Sequence, residues 1–110
     1  MAALDIRVAE PSDRDAIVAV LTLAFAVDPP TRYIWPAAKT YLDHFPAFVS
    51  AFAGEAFGAG RAFAAADGSG ASLWLAPGQS NDIQSVNRLF DRTVQEDRKT
   101  EAYAVFAKMA

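Results

Sequence analysis

Cysteine is absent from the 110 residues. That excludes a disulfide framework, a thiolate nucleophile and a cysteine-ligated metal site. Histidine occurs once, at His44, so a metal site could not be built without help from carboxylates. An excess of positive charge is missing as well: 10 Lys and Arg stand against 13 Asp and Glu, for a net charge of −3. An acidic chain without a basic stripe is a poor match for nucleic acid or an anionic membrane. Long hydrophobic runs are also lacking. The longest apolar stretch, Ala16 to Val27, is too short and too interrupted to span a bilayer. The opening MAALDIRVAE has no basic segment ahead of an apolar run, so no signal peptide is expected. A soluble, cytoplasmic protein is the expectation. What is present is apolar: 53% of residues are hydrophobic and 21% charged, too apolar for a disordered chain. A chain of this length suits one domain that buries roughly two-thirds of its surface.

Hydrophobic spacing predicts the elements. LDIRVAE alternates, which predicts a strand over 4–9 with Leu4, Ile6 and Val8 on a buried face. A helix over 13–27 follows, carried by Ile17, Val20, Leu21, Ala24 and Phe25, with Ser12 and Asp15 spaced as a capping box. The Asp28-Pro29-Pro30 run stops it and opens an aromatic loop, TRYIWP. A helix over 37–57 places Tyr41, Phe45, Phe48 and Phe52 on one face, and Pro46 predicts a kink or break near 43–45. That stripe reads as core, or as a surface left partly bare if the domain is incomplete. Residues 61–77 read as a hairpin around DGSG. Helices over 81–110 follow, capped by Ser80 or Asn81, with Ile83, Val86, Phe90 and Val94 spaced to face the core. The fold class is therefore α/β of the α+β kind: a three-stranded, mainly antiparallel sheet with about four helices in one domain. The last strand, 71–76, is apolar on both faces, with Leu73 and Leu75 one way and Trp74 and Ala76 the other. Such strands sit inside sheets, so a neighbouring strand is expected to be missing.

Several segments, taken in order, resemble the N-terminal half of the GNAT N-acetyltransferase superfamily. IRVAEPSDRDAI is similar to its opening strand and first helix, and LAFAVDPPTRYIWP to a segment recurring in one bacterial and fungal branch. GASLWLAPG resembles that branch's third strand, and AYAVFAKMA the helix ahead of its fourth. The resemblance covers nearly the whole chain. It implies a partial GNAT-like fold whose complete form moves an acetyl group from acetyl-CoA to an amine. It also implies that the fourth strand, the glycine turn that holds the pyrophosphate, the base and the tyrosine acid are not in these residues. No cofactor is expected on this chain alone, and no catalytic residue or metal ligand is assigned to it. Neither GAGRAF (58–63) nor DGSGAS (67–72) opens a helix, so neither reads as a phosphate loop.

The loop after the first helix shapes the acceptor pocket in that family. The resemblance therefore points to Asp28, Arg32, Tyr33, Trp35 and, from the sheet, Trp74 as acceptor-side residues. Arg32 could hold a carboxylate or phosphate between rings. Asp28 could be a base, and each has a plainer reading: Asp28 as a partner of Arg32 or of a turn amide, Arg32, Tyr33 and Trp35 as a loop fastened by ring packing, Trp74 as a core ring. His44 could serve as a base, yet no partner is placed beside it by the sequence. The charges on the last helices, Arg88, Arg92, Arg98 and Lys99 among acids, read as a solvated face. The apolar strand 71–76 and the tail helices together predict a homodimer or other association, with no nucleic acid and no membrane as partner.

Overall fold

In the computed structural model, which describes residues 5–109, β1 (Ile6–Val8) leads through a 3-10 turn at Pro11–Asp13 into α1 (Arg14–Ala24). Then come α2 (Pro29–Ile34), α3 (Ala38–Ala53) and α4 (Glu55–Gly58), the hairpin of β2 (Ala62–Ala65) and β3 (Ala71–Leu73), and α5 (Ile83–Thr93) and α6 (Lys99–Met109). The class is α+β, with one antiparallel sheet in the order β1-β2-β3 and six helices among the described residues. Leu4 and Ala110 lie outside those residues.

Two local rules account for the helices that the spacing missed. Pro29 and Pro30 end nothing further: they sit in the first turn of α2, where a missing N–H costs no hydrogen bond. The aromatic loop is therefore itself a short helix. Pro46 does not break α3 either. The one bond it removes would have ended on the carbonyl of Leu42, an exposed residue. The chain turns instead at Gly54, which divides the expected 37–57 helix into α3 and α4. Caps also shift by a residue or two. Asp13, not Asp15, accepts the Glu10 N–H at 2.8 Å ahead of α1. Asp82, not Ser80 or Asn81, accepts the Ser85 N–H at the start of α5.

The sheet has a helix side and an open side. Ala9, Ala62, Ala64, Ala71 and Leu73 fall on the helix side by the strand registers. The small side chains of the four alanines let α1 pack on β3. Arg7 shares that side, in line with Ala64 and Ala71, and its guanidinium forks onto Asp13 at 2.7 and 3.0 Å. This reverses the expected burial of β1. Ile6 and Val8 face the other way and are 61% and 52% exposed. Ile83 is likewise exposed, while Val86, Phe90 and Val94 are buried as their spacing predicts.

The core lies between α3 and its neighbours rather than within the sheet. Tyr41, Phe45 and Phe48 are buried and Phe52 half-buried. Phe90 on α5 stacks on Phe48 at 6.1 Å between ring centres, and Phe106 on α6 meets both edge-on. The order of layers is thus sheet, then α1 and α3, then α5 and α6. β3 ends at Leu73 rather than Ala76, and it lies at the edge of the sheet with no further strand beside it among the described residues.

Candidate functional site

Two places bear on function: the α2 segment that the sequence singles out, and the edge of β3.

In the α2 segment most polar groups already have partners. The Asp28 carboxylate caps α2, accepting the Thr31 N–H at 3.2 Å and the Thr31 hydroxyl at 2.7 Å. The Arg32 guanidinium donates to three carbonyls: Ala26 at 2.8 Å, Pro36 at 2.7 Å and Trp35 at 3.2 Å. It also lies over the Tyr41 ring, 5.4 Å from its centre. Such a clamp fixes the exit from α1 and the exit from α2 with one side chain. Trp35 is 1% exposed, and its indole N–H donates to the Thr93 hydroxyl on α5 at 3.0 Å. Its ring packs edge-on against Phe48 and Phe90. Tyr33 is turned outward, under the Arg98 guanidinium at 4.5 Å, and its carbonyl accepts from the same Arg98 at 2.9 Å.

Trp74 is elsewhere. It stands on the open side of the sheet, 60% exposed, with its indole N–H on the Ser72 hydroxyl at 3.0 Å. It is not a core ring, because β3 ends one residue before it and its side chain lies on the solvent side of the strand. Among the described residues no hydrogen bond or ring contact joins it to Asp28, Arg32, Tyr33 or Trp35. The structure therefore brings Asp28, Arg32 and Trp35 together as a fastened corner, and leaves Tyr33 and Trp74 on separate surfaces.

Two phenols and one carboxylate are displaced well away from their ordinary values. Burial pushes the Tyr41 hydroxyl up to about 12, and it donates to the Thr22 carbonyl at 2.6 Å. The hydrogen bond of Tyr103 to the Asp91 carboxylate likewise pushes it up to about 12. Both phenols stay protonated and neither can act as a base. The Arg7 guanidinium holds Asp13 down at about 2. His44 lies half-buried on α3, its ring 6.4 Å from that of Trp35, with no hydrogen bond among the described residues. No group of three or more metal-ligating side chains occurs among the described residues. No helix there is long and apolar enough to cross a membrane.

The β3 edge is different. Between α1, α3 and β3 lies a cavity of about 300 Å³, walled by Leu21, Phe25, Phe45, Phe48, Phe52 and Leu73. The phenylalanine rings follow one another at 5.4 to 5.9 Å. The helical stripe of aromatics signals this wall in the sequence. That it meets the edge of β3 follows only from the pairing of the strands.

No family model, no curated protein and no solved structure matches the chain. The functional reading accordingly rests on the residues and their arrangement.

Proposed function

We propose that the chain is the acceptor-side portion of a GNAT-like N-acetyltransferase, inactive by itself. The observation that supports this reading is the arrangement of its three strands: an antiparallel β1-β2-β3 sheet with four helices, α1 to α4, inserted between β1 and β2, packed on one side, and an outer edge on β3 that no strand pairs with among the described residues. The sequence resemblance implies the same order, with the next strand to be added at that edge. The glycines fit the reading too. Gly60, Gly68 and Gly78 have positive φ; the first precedes β2 and the second turns the hairpin, while Gly78 lies ahead of α5, whose first turn is already capped by the Asp82 carboxylate on the Ser85 N–H.

In the complete enzyme the amine nitrogen attacks the thioester carbonyl of acetyl-CoA. The C–S bond breaks, the thiolate leaves and takes up a proton, and a base accepts the proton of the amine. The base and the oxyanion donors belong to the portion that carries the fourth strand and beyond. This chain contributes the acceptor side. Asp28, Arg32 and Trp35 hold the α2 corner in place, and Tyr33 offers an outward ring and hydroxyl beside it.

The test has two arms. Calorimetric titration of the chain with acetyl-CoA is expected to give no heat, and saturable binding would refute the missing-half reading. A fusion of the chain to the acetyl-CoA-binding half of a GNAT enzyme is expected to acetylate at least one amine of a broad panel. A folded fusion that binds acetyl-CoA and acetylates none would overturn the proposal.

A further inference from the structure

We propose that the outer edge of β3, with the cavity beside it, binds an extended peptide segment carrying a bulky, uncharged side chain. Two independent observations meet there. The first is the direction of the main chain. The Ala65 N–H donates to Gly70 O at 3.0 Å and the Trp74 N–H to Arg61 O at 3.1 Å, with Phe63 opposite Ser72. Gly70, Ser72 and Trp74 therefore turn their main-chain groups toward β2. Ala71 and Leu73 turn theirs outward. No strand pairs with that side among the described residues. Two donors and two acceptors thus stand on alternate residues, about 7 Å apart. An extended peptide offers the matching set on its own alternate residues, and a small molecule with one polar head meets only half of it.

The second observation is what lies beneath. The side chains of Ala71 and Leu73 point to the helix side and line the cavity of about 300 Å³. A strand paired on this edge places every second side chain on that same side, over the cavity. The walls are mostly rings and aliphatic carbons, no charged residue lines them, and of the two polar residues, Thr31 and Ser72, the Ser72 hydroxyl already accepts from the Trp74 indole. The Thr31 hydroxyl, the polar group on the α2 side, is already bonded to Asp28. A charged side chain entering here would lose water and find no partner, whereas an aromatic or branched aliphatic one replaces poorly held water. The neutral lining and the size of the cavity therefore select the occupant. The acetyltransferase reading gives this edge to a further strand of the complete enzyme, so a peptide pairs here only where that strand does not, and the binding needs no acetyl transfer.

The test uses the 110-residue chain and a blocked pentapeptide, Thr-Thr-Phe-Thr-Thr, acetylated and amidated. Hydrogen exchange at the Ala71 and Leu73 amides, followed by NMR, is expected to slow at least about tenfold on saturation, as pairing and burial of one phenyl ring imply. The same peptide with Asp in place of Phe is expected to leave both amides unchanged. Ala53→Phe, which fills the cavity from α3, is expected to abolish binding. Should that variant not fold, the Asp peptide keeps the test decisive. Unchanged exchange with peptide in the millimolar range, or equal protection by the Asp peptide, overturns the proposal. So does protection that exists without peptide and disappears on dilution, which would assign the edge to a second copy of the chain. An acetyl-CoA titration of either outcome does not alter these readings.

Discussion

Arg32 is the residue on which two readings part most sharply. A substrate-holding arginine keeps its donors free, and this one spends them on three carbonyls and a ring face. Arg32→Ala is expected to lower stability by about 2–4 kcal/mol, since it leaves partly buried carbonyls without partners. Arg32→Lys restores only part, because an ammonium cannot span the fork. Urea denaturation measures both, and an unchanged midpoint for the alanine variant would return Arg32 to the pool of free cations. Asp13 gives a pH signature. Its carboxyl is held at about 2, below its ordinary 3.8, chiefly by the Arg7 hydrogen bond. A lowered folded value means that the pair stabilises the fold fully above about pH 4 and is lost as the pH falls through 2. Asp13→Asn is expected to flatten the melting temperature over that window, while leaving any change above pH 5 the same as in the parent. Melting curves at stepped pH check it.

At the scale of elements, Pro46 is the informative case. It sits inside α3 without breaking it. Pro46→Ala adds an N–H for the Leu42 carbonyl and a better helix former, and is expected to raise stability by about 1 kcal/mol or more, read by thermal melting. What was legible in the sequence here follows from where each element meets its surroundings. Val86, Phe90 and Val94 announce the buried face of α5 because its neighbours all lie on one side of it and the other side meets water. Ile6 and Val8 mislead because alternation says that two faces differ, not which face the helices take. Arg7 takes the helix side and reaches Asp13, six residues away, a pairing that the alternation does not contain. Asp28-Pro29-Pro30 reads as a stop when viewed from α1 and is a start when viewed from α2. The corner of Asp28, Arg32 and Trp35 was visible as a cluster, but its partners Ala26, Tyr41 and Thr93 come from three other segments, so its role as a fastening was not.

At the scale of the whole molecule the layers are unevenly finished. The side toward α5 and α6 is packed with interlocking rings, while the far side of the sheet shows Ile6, Val8 and Trp74 to solvent. A three-stranded sheet with one bare apolar side is expected to bind a hydrophobic dye such as anilinonaphthalene sulfonate in the folded state. Ile6→Thr with Trp74→Ser is expected to reduce that signal by about half or more while the melting temperature moves by only a few degrees, since exposed positions contribute little to stability. A dye signal unaffected by the pair of changes would place the bare surface at the cavity beside β3 instead.

The two tryptophans divide this uneven molecule between them. Trp35 is sealed among rings at the joint of α2, α3 and α5, and Trp74 stands in water at the end of β3. Their emission should therefore separate by colour, blue from the first and red from the second, and acrylamide should quench only the red. Loosening of the tail helices would then redden the blue band while the other holds still, and anything that settles on the sheet would do the reverse. One cuvette, with no label attached, reports on both ends of the protein and tells which one gives way first.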